Sequence, residues 1–321
     1  MRILLKILLG IIILIAVSVS LVIYLPASVD TPDIKIEKTP QRLKRGEYLV
    51  NHVAACLDCH SKRDRSFTTL MIDENSIGAN GEMFSAEMGF PGDYYPSNLT
   101  LANLKSWTDG ELYNVLTTGV NKYGRVLFPV MPYKHYTKMS KEDIYSIIAY
   151  IRTLDPIETN DPESEPKFIM KIISKLAFKE VPSHKEIPPK SDKAAYGEYL
   201  VNAASCYDCH TPMEKGRYIE ELAFSGGFEF KKSNGNSIYS SNITPDKETG
   251  IGTWDEEYFL NQFTQWRDDK MKFRKKKPGT ENSEMAWSLY AGMTDDDIKA
   301  IYAYLSKLKP IKNKVETGVK K

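Results

Sequence analysis

The four cysteines of this 321-residue chain fall in two five-residue windows, Cys56-Leu57-Asp58-Cys59-His60 and Cys206-Tyr207-Asp208-Cys209-His210. None is left over for a disulfide, a thiolate nucleophile or a sensor thiol. Cysteines at i and i+3 project on one side of a helical turn, so both sulfurs can reach the two vinyl groups of one porphyrin. The histidine that follows is then held beside the ring, where it can ligate the iron from the proximal side. A redox Cys-x-x-Cys pair needs no such histidine and expects a βαβ setting that is missing here. Structural zinc would need a fourth close ligand in each window. The pattern points to two covalently bound haem c groups, held by Cys56, Cys59 and His60 and by Cys206, Cys209 and His210.

The elements that must position these windows are written twice. Gly46-Glu-Tyr-Leu-Val-Asn51 returns as Gly197-Glu-Tyr-Leu-Val-Asn202, and Ser97-Asn-Leu-Thr100 returns as Ser241-Asn-Ile-Thr244, each with a later tryptophan, Trp107 or Trp254. Met131, Tyr133, Tyr136, Met139 and Ser140 correspond at one offset to Met285, Trp287, Tyr290, Met293 and Thr294. A single apolar stripe at helical period follows in each copy: Ile144, Ile147, Ile148, Ile151 and Leu154, then Ile298, Ile301, Tyr302, Leu305 and Leu308. Ser140 and Thr294 are N-caps with acidic first turns, and Pro156 and Pro310 stop the helices. This is a tandem duplication in which an opening helix leads into each cysteine window and a capped helix closes the copy. Gly46 and Gly197 inside the opening helices predict a close helix crossing, with Tyr150 and Tyr304 as partners. No period-2 pattern competes, so both domains read as all-α.

The iron's sixth ligand decides between electron transfer and small-molecule chemistry. Met139 and Met293 precede the N-caps and pair with Ile144 and Ile298 as hydrophobic staples, which gives them a packing role. Met131 and Met285, in irregular chain that can reach back over the ring, are the candidate distal ligands. His135 is the rival in the first domain, but its counterpart in the second copy is Leu289.

At the N-terminus, Arg2 and Lys6 precede an uncharged run from Ile7 to Leu25, which rises about 28 Å as a helix, close to a bilayer's hydrocarbon thickness. The run is longer than a signal peptide's apolar core and ends without a small-residue cleavage site, so it reads as an uncleaved anchor. The positive end stays in the cytoplasm and the remainder faces outward. Lysine plus arginine (43) balances aspartate plus glutamate (42), which excludes a whole-chain field for nucleic acid. Between the copies, Lys167 to Lys179 carries lysines at four-residue spacing among apolar residues. It reads as a linker helix in the groove between domains; the alternative is a basic amphipathic helix on a membrane surface. The basic run Lys270 to Lys277 either steers an acidic partner or is a solvated loop.

With this layout the chain resembles class I cytochrome c domains: opening helix, Cys-x-x-Cys-His, distal methionine loop, closing helix packed across the first. On Asn242 to Trp254 (Asn-Ile-Thr-Pro-Asp-Lys-Glu-Thr-Gly-Ile-Gly-Thr-Trp) and on Met131-Pro132-Tyr133 with its helix, it is similar to membrane-bound multihaem cytochrome c subunits. Those subunits partner periplasmic alcohol and sugar-acid dehydrogenases. They usually carry three haem domains where this chain has two, and often a proline where Ala286 follows Met285.

The expected organisation is a transmembrane anchor (1–26), a linker (27–40), a cytochrome c domain (41–156), an interdomain linker (157–190), a second cytochrome c domain (191–311) and a tail (312–321). The expected function is a membrane-anchored dihaem relay on the outer, periplasmic face of the cytoplasmic membrane. It would pass electrons from a dehydrogenase or quinol-oxidising complex to another cytochrome or a terminal oxidase. No catalytic residue, small-molecule substrate or nucleic acid is expected. The alternative is a dihaem peroxidase with one open haem site, which methionines in both copies disfavour.

Overall fold

The uncharged run and the basic residues before it form one helix, α1 (Arg2–Tyr24), long and apolar enough to cross a membrane and with no fully buried residue. The computed structural model describes residues 1–160, 162–177, 181–232 and 234–316 and is mostly helical. In the first half follow α2 (Pro40–Tyr48), α3 (Cys56–His60), α4 (Leu101–Leu104), α5 (Asp109–Thr118), α6 (Tyr133–Tyr136) and α7 (Lys141–Ile151). After α8 (Phe168–Ala177), the second half runs through α9 (Lys193–Ala203), α10 (Cys206–His210), α11 (Glu256–Thr264), α12 (Asp269–Lys272), α13 (Trp287–Tyr290) and α14 (Asp295–Leu305).

The expected helical architecture is accompanied by short strands. Four two-stranded antiparallel ribbons occur among the described residues. They pair β1 (Arg63–Asp64) with β2 (Met71–Ile72), β3 (Gly92–Asp93) with β4 (Glu165–Pro166), β5 (Met213–Glu214) with β6 (Arg217–Tyr218), and β7 (Glu229–Lys231) with β8 (Ser237–Tyr239). Strands of two or three residues are too short for an alternating pattern to register in a sequence.

The crossing of opening and closing helices is the centre of each half. A Cβ on Gly46 would overlap the carbonyl oxygen of Ser146 and sit 2.7 Å from Tyr150 Cβ, so α2 and α7 meet main chain to main chain. In the second half a Cβ on Gly197 would overlap the carbonyl of Ala300 and lie 3.1 Å from Ile301 N. Both glycines thus meet the same position of the closing helix, Ser146 and its counterpart Ala300, with the expected Tyr150 beside it in the first half. The capping residues act as expected: Ser140 Oγ accepts from Asp143 N–H and Thr294 Oγ1 from Asp297 N–H. Met139, Ile144, Met293 and Ile298 are all buried in the one hydrophobic cluster that runs through both halves.

The halves are joined by an exchange of tyrosines. Tyr199 of α9 accepts a hydrogen bond from Ser140 N–H (3.0 Å) and donates to Asp143 Oδ2 (2.6 Å) at the start of α7. Tyr48 of α2 accepts from Thr294 N–H (3.1 Å) and donates to Asp297 Oδ2 (2.7 Å) at the start of α14. Both carboxylates are only 1% exposed, and each has a cation as well: Arg45 bidentate on Asp143, Lys190 on Asp297. Burial, then the bond to the carboxylate, pushes both phenols well above the ordinary tyrosine value. Each opening helix thus completes the cap of the other half's closing helix.

Segments expected to be linkers are pinned. Ala27 N–H donates to Gly124 O (2.9 Å), Asn114 Nδ2 to Asp30 O (3.2 Å), and Ile36 N–H to Asp109 Oδ2 (2.7 Å), so the chain leaving α1 lies along the first half. Between the halves, His184 Nδ1 meets Met139 O at 2.6 Å and its Nε2 meets Tyr113 OH at 2.6 Å. Past Pro310, Asn313 bonds Thr249 Oγ1 and Ser225 O, so packing continues beyond residue 311. The linker helix is not in the groove between the halves. α8 packs beside α1 instead, and Phe178 and Lys179 lie outside the described residues, as do positions 317–321 of the expected tail. The basic run forms a strap: Lys276 N–H donates to Ser66 O, Thr68 N–H to Arg274 O, and Phe273 packs edge-on to Phe67.

Two measurements test this account. Gly197→Ala drives a methyl into the Ala300 carbonyl and should cost about 1–3 kcal/mol in denaturant unfolding. An unchanged midpoint would deny the close crossing. Tyr48→Phe and Tyr199→Phe each leave a buried carboxylate short of a donor, a loss of about 1–3 kcal/mol. The claim fails if both unfold like the parent chain.

Candidate functional site

Each cysteine window sits in the turn that follows an opening helix, and the turn starts the same way in both halves. The residue before the first cysteine is left-handed: Ala55 has φ 48° and Ser205 has φ 54°. A side-chain-bearing residue held there costs about 1 kcal/mol. It breaks α2 and α9 and starts α3 and α10 in a new direction. The two copies reach this turn by different counts, since Asn51 is five residues before Cys56 whereas Asn202 is four before Cys206. The extra residue is absorbed by a π-helical turn over Leu49–Val53, where α9 stays regular. Such turns take up one residue without ending the helix.

Within each window the two cysteines share one helical turn, and all four are unbridged. Cys56, Cys59 and Cys206 are half-buried and Cys209 is exposed. The protein packed around them nonetheless withdraws water and pushes their pKa values up, to about 12 for Cys56, Cys206 and Cys209 and about 11 for Cys59. These are thiols at neutral pH, without the lowered pKa of a nucleophilic cysteine. Burial also lowers the pKa of His60 and of His210, with a backbone hydrogen bond opposing it. That bond is the same in both: His60 Nδ1 lies 2.8 Å from Ser97 O, and His210 Nδ1 lies 2.8 Å from Ser241 O. A carbonyl can only accept, so Nδ1 carries the proton and Nε2 keeps its lone pair for a metal.

The Ser-Asn-x-Thr repeat, whose role the sequence did not disclose, holds those carbonyls. Asn98 Oδ1 accepts from Thr100 N–H (2.8 Å) and Nδ2 donates to Ile157 O (2.7 Å). Asn242 does the same with Thr244 N–H (2.9 Å) and Ile311 O (2.8 Å). The loop is thereby tied to the chain just past each closing helix. The repeat itself was the signal that could have found it.

Met131 and Met285 stand immediately before α6 and α13, and each backbone carbonyl accepts from the aromatic residue two positions on, Tyr133 or Trp287 (both 2.8 Å). Both methionines are partly buried, packed against the hydrophobic cluster together with Cys56 and Leu99 in one half and Cys206 and Ile243 in the other. Equivalent residues therefore give each half the same soft, apolar surroundings. His135 is committed elsewhere: Nδ1 meets Asn202 Oδ1 (3.1 Å) and Nε2 meets Asp208 Oδ1 (3.0 Å), across the interface. Its ring has no nitrogen left for a ligand role.

The windows are neighbours. His135 of the first half meets Asp208 Oδ1 inside the second window (3.0 Å). Arg63 donates to Asp58 Oδ2 (2.7 Å) and pairs with Glu284 (3.5 Å), which also pairs with Lys232. Ser288 Oγ donates to Leu70 O (2.8 Å), so the segment carrying Met285 rests on the first half's loop. Among the described residues no group of three or more His, Cys, Asp or Glu is arranged to hold a metal ion, which does not suit a protein-only zinc site.

Two cysteines and a neutral, Nε2-presenting histidine on one turn, beside an apolar patch, suit the two attachment points and one iron ligand of a c-type haem. The match to known proteins agrees: residues 194–309 fit the family model described as cytochrome c. This stretch is a cytochrome c domain. It begins in the opening helix α9 and ends just beyond α14, so the cytochrome c domain contains Cys206, Cys209, His210 and Met285. Over 305 residues, 91% of this chain and 55% of the relative, the protein is 28% identical to the fructose dehydrogenase cytochrome subunit of Gluconobacter japonicus. It is 27% identical to the gluconate 2-dehydrogenase cytochrome c subunit of Pantoea cypripedii over 83% of this chain and 59% of that one. To a diheme cytochrome c-type protein of Cereibacter sphaeroides it is 22% identical, over 83% of this chain and 86% of that protein. The chain spans about half the length of the dehydrogenase subunits it matches.

Replacing Asn242 by alanine removes both ties of the loop that carries the Ser241 carbonyl. A loss of about 1–3 kcal/mol is expected in thermal or denaturant unfolding, and an Asn98→Ala chain should lose a similar amount. Parent-like stability in both would refute the tying role.

Proposed function

We propose that the chain is a membrane-anchored dihaem electron carrier, with both halves acting as cytochrome c domains. The observation that carries this is the recurrence, in both halves, of one whole arrangement. A left-handed residue starts the Cys-x-x-Cys-His turn, and the serine carbonyl of a Ser-Asn-x-Thr loop holds histidine Nδ1. Cys56 and Cys59, and Cys206 and Cys209, would form the thioether links. His60 and His210 would ligate through Nε2, and Met131 and Met285 would supply the opposite ligands. Haem bound in this way supplies one-electron exchange at a low-spin iron whose potential the methionine raises.

The protein's part is to orient and insulate. Asp58 is held by Arg63, and Asp208 by His135, so neither carboxylate beside a window is left alone. The nearness of the two windows supports transfer between the halves without a third partner. The names of the relatives favour a dehydrogenase as donor, and α1 favours a site at the membrane, with the folded part on the periplasmic side. Another cytochrome or a terminal oxidase would be the acceptor.

The haem count is the direct test. Expressed with a c-type maturation system, the chain should weigh two haems more than its polypeptide, and Cys206→Ser with Cys209→Ser should weigh one more. A parent chain carrying one haem or none overturns the reading. The ligands have a separate test: Met131→Ala and Met285→Ala should each weaken the near-infrared methionine–iron band by about half and shift one haem toward high spin. A band untouched by both substitutions would reassign the distal side.

A further inference from the structure

The chain between the halves is tied to the first half on both sides of α8. Its start is fixed by the β3–β4 ribbon and by Lys167 N–H donating to Pro91 O (3.0 Å). Its return is fixed where Thr137 accepts and donates hydrogen bonds around Val181 and Ser183. Between those points the helix exposes its apolar residues: Phe168 is 64% exposed, Ile169 56%, Ile173 40% and Leu176 68%. At about 100° per residue, Phe168, Ile172, Leu176, Ile169 and Ile173 fall on one continuous arc. Lys167, Lys171 and Lys175 form a second row along one edge of that arc. A helix facing water would bury the first arc and expose the second. Here the apolar arc is bare as well, Ile172 alone in it being half-buried.

The location says what covers it. α8 packs beside α1, and Lys175 Nζ donates to Ile23 O (2.9 Å) and to Leu25 O, the carbonyls at the end of α1. That end is where an anchor helix would leave the hydrocarbon, so α8 sits at the level of the headgroups. The segment after α1 is strapped to the first half through Ala27, Asp30 and Ile36, so this level is set by the fold and not by a slack tether.

We propose that α8 lies in the membrane–water interface beside the exit of α1, its apolar arc among the acyl chains and Lys167 and Lys171 on anionic phospholipid phosphates. The inference rests on α1 being a membrane anchor. Basic amphipathic helices of this kind bind bilayers through buried apolar area and attraction to anionic headgroups. The anchor and α8 then give two attachments, which fix the orientation of both cysteine windows relative to the bilayer.

The test uses the haem-loaded full chain in vesicles of phosphatidylethanolamine and phosphatidylglycerol, with a lipid-soluble diazirine photolabel mapped by peptide mass spectrometry. Label is expected in α1 and in the 168–176 peptide. Ile169→Glu with Ile173→Glu should cut the α8 label several-fold and leave the α1 label and the haem spectrum unchanged. Label in α1 with none in α8 overturns this inference while the anchor stands. An α8 unlabelled and cross-linked to a second copy overturns it in favour of a self-interface. No label in either helix removes the anchor reading and the inference with it.

Discussion

Main chain pressed against main chain at Gly46–Ser146 and Gly197–Ala300 sets the frame on which the remaining structure is built. Because no side chain separates the helices there, neither can slide or rotate without a clash. The opening helix therefore delivers its last turn to one place. From that place a single left-handed residue turns the chain into the Cys-x-x-Cys-His segment. The closing helix delivers its end just as firmly. The residues beyond it, Ile157 and Ile311, hold the asparagines of the loops that orient the two histidines. One steric contact thus reaches the histidine ring from both sides.

The second organising feature is reciprocity. Each half lends a tyrosine to the buried N-terminal aspartate of the other half's closing helix, so the capping that stabilises α7 and α14 is complete only in the pair. The symmetry is deliberately broken at two histidines. His135 reaches from the first half to Asp208, beside the second window. His52, on the π-helical turn, donates from Nδ1 to Leu289 O (2.9 Å), and its ring fills the space that a side chain on Gly292 would need. The two windows consequently differ in their polar neighbours although their first contacts match.

The parts legible in the sequence are those that residue type specifies. The cysteine windows, the duplicated helices, the capping Ser140 and Thr294, and the packing of Met139 and Met293 all follow from side-chain chemistry at fixed spacing. The carbonyls of Ser97 and Ser241 were hidden, because a backbone oxygen carries no residue-type signal. Tyr150 and Tyr304 were named for crossings at which the backbone of Ser146 and of Ala300 comes nearest, because periodicity gives the face of a helix but not the turn at which it is crossed. The partner of α8 was equally hidden: an apolar arc edged by lysines reads the same against a protein groove or against lipid. The π-helical turn was legible and unread. The offset between copies is 151 residues at Gly46 and Asn51 but 150 at Cys56, and that missing step is the bulge.

The strap from Ala27 to Ile36 leaves almost no free chain between α1 and the first half. Gly110 and Gly124 are bare where the strap crosses them, since a methyl on either would strike Pro32 or Pro26. A carrier on a long leash can swing between donor and acceptor; this one has no leash to swing on. With α1 as the proposed anchor, its exchange partners would have to come to it, built to a fixed height and facing a fixed side.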